Sequence, residues 1–175
     1  SDVFACLPVE KQQHIINSIT DYELSAIVND LFVDDAVDML EELPANVVKR
    51  VLKQARPETR RLINQFLQYP ENSVGSIMTA EFVDLKKDTT AGEAIQRIRK
   101  VGEDCEAIYT CYVTDSQRVL KGVITLRELL LADENQPVGE NMETDIVTVQ
   151  TTDDRELAVS QMMHYDFLTL PVVDR

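Results

Sequence analysis

A 12-residue repeat in the first part of the chain is the feature that most limits how it can fold. From Pro8 the sequence divides into five units in one register: PVEKQQHIINSI, TDYELSAIVNDL, FVDDAVDMLEEL, PANVVKRVLKQA and RPETRRLINQFL. The eighth position of each unit is apolar (Ile15, Ile27, Met39, Val51, Ile63), and so is the twelfth (Ile19, Leu31, Leu43, Ala55, Leu67). Each unit predicts one short helix and a tight bend. Because such short helices cannot bury an apolar stripe alone, the units predict a stacked helical solenoid.

The third unit, FVDDAVDMLEEL, concentrates acidic residues. Asp34 and Asp38 are four residues apart, and like charges at that spacing destabilise a helix by a few tenths of a kcal/mol. A solvated acidic face that complements the helix dipole is one interpretation. A cation site is the other. Asp38 occupies the seventh position of its unit, and the same register three units earlier falls on Asp2, so the two predict one acidic edge.

The overall composition narrows the partners of the chain. It has 31 acidic against 17 basic residues in 175, a net charge of −14, which argues against nucleic acid and favours cations or basic partners. The cysteines (Cys6, Cys105 and Cys111) form no CxxC pair and the chain has 2 histidines, so a zinc site or disulfide framework is not indicated and the cytosol is the expected compartment. The number of Cys and His residues does not exclude a catalytic Cys/His pair. Cys111, however, lies in the apolar run IYTCYV and is expected in the core.

After residue 70 the pattern changes to alternating strands and helices. FVDL, TTAGEAIQRIRKV, AIYTCYVTD, LKGVITL and RELLLAD predict the order β-α-β-β-α, with Thr89 or Thr90 opening the first helix. The order then begins again: VGENM parallels VGSIM, and DIVTVQ, DDRELAVSQMMHYDF and TLPVV predict a strand, a helix and a strand. The sequence ends before the last strand and helix of this second module, so we expect the second module to be incomplete.

Specific phrases in both parts carry a family resemblance. VGSIMTAEFVDL, GVITLREL and TLPVVD resemble paired cystathionine β-synthase (CBS) modules. YPENSVGSIMT, EAIYTCYV, LRELLLAD and YDFLTLPVVD, preceded by a helical repeat with DDAVDML, resemble the cytosolic half of MgtE-type magnesium transporters. The resemblance implies an α plus α/β organisation, with a helical acidic N domain over residues 1–69, a first CBS module over 70–137 and an incomplete second CBS module over 138–175.

The resemblance also implies a function. In that family the N domain and the CBS pair form a homodimeric Mg²⁺ sensor on the cytoplasmic side of the membrane, ahead of a transmembrane pore domain in the same full-length chain. When Mg²⁺ is scarce the acidic domains repel each other and the pore opens; when it is plentiful Mg²⁺ bridges them and the pore closes. Mg²⁺ prefers hard oxygen ligands and keeps several waters, so carboxylates from separate domains can share it.

Metal-binding positions follow from the resemblance residue by residue. The acids of the N domain fall on Asp2, Asp34 and Asp38, and those of the second module on Asp154, Glu156 and Asp166. Backbone oxygens fall on Ser76, where relatives usually have Gly, and on Met163. The other interpretation is structural: Asp154 as a helix N-cap, Glu156 as an acid of the first helical turn and Asp166 as a turn cap.

Some relatives bind ATP between their CBS modules, which implies a nucleotide site at Thr110, Arg127, Glu128 and Phe167. Phe167 is expected to stack on adenine and Glu128 to bind the ribose hydroxyls. The chain departs from the usual pattern at two positions, with Glu128 in place of Asp and Thr110 in place of an aromatic residue. The alternative is that Phe167 belongs to the core and Arg127 is a surface charge.

Two other functional classes compete with the transporter sensor. One is a free-standing CBS protein that senses adenylates and regulates an enzyme; tight AMP or ATP binding without any Mg²⁺ effect would indicate it. The other is an enzyme. The sequence contains no Gly-rich phosphate loop, no nucleophile elbow and no metal triad, so we expect the chain not to be an enzyme.

Overall fold

The structure is a computed structural model that describes residues 2–174, with only the backbone described for Asp2. The chain divides into two units, Ser1–Ala80 and Glu81–Arg175, each with its own buried cluster of apolar side chains. No helix among the described residues combines the length and the apolar character needed to cross a bilayer.

The first unit is helical, with one helix for each predicted repeat. A short helix, α1 (Asp2–Ala5), precedes α2 (Val9–Ser18), α3 (Asp21–Val28), α4 (Val33–Glu41), α5 (Ala45–Gln54) and α6 (Pro57–Phe66). The residues that cap the starts of α2 to α6 are spaced by 12 positions: Pro8, Thr20, Phe32, Pro44 and Arg56. The predicted period is therefore confirmed.

Helices of the first unit pack against neighbours that are not adjacent in sequence. α2 and α3 lie against α5, whereas α1 and α6 lie against α4. The repeat positions fill the core unevenly: Met39, Val51 and Ile63 are buried at the eighth position, but Ile15 and Ile27 are half-buried. The last three units thus bury the eighth position, whereas the first two bury other residues, among them Ile16 and Leu24.

Side chains from neighbouring helices satisfy the carbonyl groups at the helix ends. Arg50 Nη2 donates to Ile19 O at 2.8 Å, where α2 ends, and its Nε forms an ion pair with Asp21. Ser25 Oγ donates to Gln54 O at 3.0 Å, at the end of α5. These contacts replace the intrahelical partners that the last carbonyls of a helix lack, and they join helices that are distant in sequence.

The second unit begins with the predicted β-α-β-β-α order. It contains β1 (Phe82–Leu85), α7 (Ala91–Val101), β2 (Ala107–Thr114), β3 (Leu120–Thr125) and α8 (Leu126–Leu131). The sheet order is β1-β2-β3, with β1 parallel to β2 and β2 antiparallel to β3. Thr90, rather than Thr89, opens α7 through a capping box with Glu93. Cys111 pairs with Ile124 in the middle of the sheet, and both are buried.

The strands of the second module are shorter than predicted. DIVTVQ contributes only β4 (Val149–Gln150), and TLPVV contributes only β5 (Val172–Val173), on either side of α9 (Arg155–Tyr165). Over the described residues these two strands pair in parallel with each other alone. Apolar alternation reports a preference for extended backbone, but a ladder forms only where a partner strand lies alongside.

Two segments hold the modules together within the second unit. Val123 and Glu143 exchange backbone hydrogen bonds of 2.9 and 2.8 Å. Gly139 N donates to Lys87 O at 2.8 Å, and a Cβ at Gly139 would lie 3.0 Å from that same oxygen. The start of the second module therefore packs on the first with no room for a side chain at this point.

Candidate functional site

Helix α4 places two predicted Mg²⁺ ligands on one face. Val37 and Leu40 face the core, which leaves Asp38 exposed and Asp34 half-buried. Because residues four apart lie one above the other on a helix, Asp34 and Asp38 are neighbours. Phe32 caps the helix without a side-chain hydrogen bond, and Asp34 and Asp35 stand in the first turn, where negative charge complements the helix dipole.

The remaining N-domain acid is Asp2, the first residue of α1. Its side chain lies outside the described residues, so its predicted role as a ligand stays a prediction. The helix that begins there lies against α4, and Phe4 belongs to the same buried cluster as Val37. The backbone of Asp2 is therefore part of a helix packed on the one that carries Asp34.

Ser76 ends a short 3₁₀ turn, Val74–Ser76. Its hydroxyl lies 2.9 Å from Glu71 O and 2.8 Å from Ser73 O and donates toward both. The side chain that stands where relatives usually have Gly thus closes the turn over residues 71–76. The proposed ligand atom is the backbone oxygen of this same residue, so the hydroxyl fixes the turn that carries it.

The predicted ligands of the second module stand at opposite ends of α9. Asp154 is the N-cap and its Oδ1 accepts from Glu156 N at 2.8 Å, whereas Asp166 ends the helix in the left-handed conformation, with φ 55° and ψ 40°. Met163 is in the last turn and its side chain is exposed. A helix of 11 residues is about 16 Å long, so one ion cannot bind both ends.

Within neither unit do the described ligand side chains form a complete metal site. Among the described residues, no three His, Cys, Asp or Glu side chains come together in a group that could hold a metal ion. Each end of α9 presents one or two carboxylates, and so does the face of α4. Such partial oxygen sets fit Mg²⁺, which retains several waters and is usually bound through one or two carboxylates.

The predicted nucleotide residues all lie in the second unit, and one of them, Thr110, contacts the other module. Thr110, on β2, accepts a hydrogen bond of 3.0 Å from Thr169 Oγ1, and Thr169 also bonds the hydroxyl of Tyr112. The pKa of Tyr112 is raised above its ordinary value because the hydroxyl is buried, and the hydrogen bond with Thr169 only partly opposes this rise. Thr169 is a residue that the sequence did not indicate, and it links the two modules at the position expected to border a nucleotide.

Glu128 and Phe167 are already engaged within the chain. Glu128 Oε2 accepts from Thr125 N and Thr125 Oγ1, each at 2.7 Å, in the capping box of α8. Phe167, 39% exposed, stacks on Tyr165 with ring centroids 5.3 Å apart and an angle of 16°. Arg127 is exposed. A base that stacks on Phe167 would therefore meet a ring pair, and Tyr165 is a second aromatic residue that sequence reasoning missed.

Cys111, the cysteine in the apolar run IYTCYV, lies in the core of the second unit. Cys111 is buried, and burial raises the pKa of its thiol to about 12, with a further contribution from Cys105. A thiol of that pKa holds its proton at neutral pH and is a poor nucleophile. The expectation that Cys111 belongs to the core is confirmed.

Comparison with known proteins was made against this geometry. The family model described as the MgtE intracellular N domain matches residues 1–72, and the CBS domain model matches residues 74–135. The crystal structure of the cytosolic domain of the Mg²⁺ channel MgtE in complex with ATP superposes with a TM-score of 0.88. It is 34% identical to this chain over 98% of the chain and 71% of the crystallised one. The chain belongs to the MgtE family.

Other relatives agree with this assignment. The magnesium transporter MgtE of Thermus thermophilus is 37% identical over 146 residues, 81% of this chain. The MgtE of Bacillus subtilis is 25% identical over 174 residues, 99% of this chain. The chain spans only 32% and 39% of the length of these two relatives. A crystal structure of the soluble part of a magnesium transporter also matches, with 26% identity and a TM-score of 0.80 over 98% of this chain.

Membership in the MgtE family confirms the predicted fold, a helical N region followed by CBS α/β structure. It also establishes the match to the cytosolic domain of that family.

Proposed function

We propose that this chain is the cytosolic Mg²⁺-sensing region of a magnesium transporter, and that it closes the pore when Mg²⁺ joins carboxylates of the N domain to carboxylates of the CBS modules. The observation that carries the proposal is the match over 98% of the chain to the cytosolic domain of a Mg²⁺ channel. Its role is regulatory rather than catalytic. It lies on the cytoplasmic side of the membrane, and the transmembrane pore domain belongs to the same full-length chain.

Charge supports this mechanism. Residues 33–42 contribute Asp34, Asp35, Asp38, Glu41 and Glu42 without one basic residue, in a chain whose net charge is −14. Without cations such surfaces repel other acidic surfaces. A divalent ion both neutralises and links them, whereas a monovalent ion only screens them. The proposed ligands are Asp2, Asp34, Asp38 and the Ser76 oxygen in the first unit, and Asp154, Glu156, Asp166 and the Met163 oxygen in the second.

A titration of the chain with MgCl₂ tests the proposal. The radius of gyration from X-ray scattering should fall over the millimolar range typical of weak carboxylate sites, and residues 70–80 should become resistant to protease. NaCl at equal ionic strength is the matched control and should do less. Identical profiles with the two salts would refute bridging by Mg²⁺.

Dimerisation is the proposed assembly. Helices α8 and α9 expose apolar side chains, namely Leu130, Leu131, Leu157, Val159 and Met163. Covering such a surface with a second copy would bury it from water, which favours association. Sedimentation should show a concentration-dependent dimer, and a strict monomer at tens of micromolar would count against it.

ATP is the proposed second ligand. The support is the stacked pair Tyr165 and Phe167, the hydrogen bond from Thr169 to Thr110, and the ATP in the related crystal structure. Calorimetry should detect ATP binding that Phe167→Ala weakens. ATP or AMP binding combined with no response to Mg²⁺ would favour the alternative function, a free-standing adenylate-sensing CBS regulatory protein.

A further inference from the structure

One buried polar residue stands at a core position of the helical repeat. Gln12 is the fifth residue of its unit and is 4% exposed. The next three units have Leu24, Ala36 and Val48 at that position. The fifth unit has Arg60 there, which is half-buried, whereas Gln12 is buried. An amide is costly to bury unless it is hydrogen-bonded.

The amide of Gln12 holds the end of α1. Its Nε2 donates to Phe4 O and to Ala5 O, both at 3.1 Å, and these are the last carbonyls of that helix. A helix of four residues is not stable on its own. Its position therefore depends on tertiary contacts, which here are the buried ring of Phe4 and the amide of Gln12.

The other atom of the same amide argues against a role in stability alone. Gln12 Oε1 is buried and has no hydrogen-bond partner among the described residues. An apolar side chain at this position would avoid that unsatisfied oxygen, as the equivalent Leu24 does. What Gln12 adds over an apolar residue is the donor that reaches α1.

We propose that Gln12 is a positioning residue for Mg²⁺ binding, and that it holds the helix that begins at Asp2 against α4, the helix of Asp34 and Asp38. The inference rests on the proposed function, in which these aspartates bind the ion. Releasing α1 lowers the fraction of molecules in which all three ligands are in place, and the apparent affinity falls by that fraction.

Gln12→Leu removes the Nε2 donor and leaves an apolar side chain of similar size. Amide hydrogen exchange over residues 3–7 should accelerate by about tenfold or more, because opening of α1 becomes easier while the rest of the unit is unaffected. The Mg²⁺ midpoint for compaction should rise by about threefold. Ser25→Ala is the matched control: it removes an uncharged tether to Gln54 O elsewhere in the unit and should leave both readouts unchanged.

The Asp2→Asn background separates positioning from general damage. There, Gln12→Leu should accelerate exchange as before but shift the midpoint no further, because the ligand it positions is already gone. An equal shift in both backgrounds would overturn the proposal. The proposal would also be overturned if Asp34→Asn raises the Mg²⁺ midpoint while Gln12→Leu or Asp2→Asn leaves it unchanged. That result would leave the proposed function intact. If Asp34→Asn is also without effect, the proposed function itself fails. Gln12→Met, which keeps the length of the side chain, has no N–H donor and adds no charge, repeats the test if the leucine variant does not fold.

Discussion

Helices α4 and α9 both carry predicted Mg²⁺ ligands, but they are built differently. α4 buries five of its nine residues, whereas α9 buries only Ala158 among its eleven. The cap of α4 is Phe32, which makes no side-chain hydrogen bond, whereas Asp154 caps α9 with its carboxylate. The acids of α4 are therefore carried by a helix that the core fixes, whereas Asp154 also stabilises the start of α9.

The largest effect expected from this difference is on stability. Leu40→Ala in α4 opens the core and should lower the free energy of unfolding by about 2–5 kcal/mol. Val159→Ala in α9, where the side chain is 51% exposed, should cost less than about 0.5 kcal/mol in the monomer. Urea unfolding measures both. Equal losses would show that α9 is packed as tightly as α4.

A smaller effect separates capping from ligand chemistry at Asp154. Asp154→Ala removes both the cap and the charge and should cost about 1 kcal/mol. Asp154→Ser keeps a capping oxygen and removes only the charge, so its stability should stay near that of the parent chain. Both variants should raise the Mg²⁺ midpoint if Asp154 is a ligand. A higher midpoint in the alanine variant alone would assign Asp154 to capping.

The smallest effect on the Mg²⁺ midpoint is expected at Ser76, outside both helices. Ser76→Ala removes the hydroxyl that donates toward Glu71 O and Ser73 O, and should cost about 0.5–1.5 kcal/mol. Because the proposed ligand is the backbone oxygen, the Mg²⁺ midpoint should change little once the chain is folded. Thermal unfolding and a Mg²⁺ titration on the same sample test this. A large midpoint shift would show that the hydroxyl, and the turn it closes, matter for the ion.

The sequence predicted the first unit better than the second. The 12-residue period locates every helix from α2 to α6, because each unit forms one helix that buries its apolar side chains against other units of the same repeat. β4 and β5 came out shorter than DIVTVQ and TLPVV suggest, since strand length depends on a partner that alternation does not report.

The sequence predicted which residues belong to the candidate sites, but not the contacts that those residues make. A family resemblance names Glu128, yet only the structure shows its carboxylate engaged by Thr125. Tyr165 and Thr169 escaped notice because their contacts depend on the left-handed turn at Asp166, where the chain reverses direction after α9. For Gln12 a signal did exist: a polar residue at a repeat position that is apolar in the next three units.

The central claim is that the acids of α4 bind Mg²⁺ rather than form a solvated face, and the variant Asp34→Asn with Asp38→Asn tests it most directly. Scattering of the double variant during a MgCl₂ titration gives the compaction midpoint, and a thermal melt without Mg²⁺ gives its stability. We predict a higher midpoint, because ligand charge is lost, together with equal or slightly higher thermal stability, because like-charge repulsion is relieved. Asp166→Asn should raise the midpoint in the same direction, and combining it with the pair should cost less than the sum if they share an ion. Unchanged midpoints in all of these variants would contradict the account.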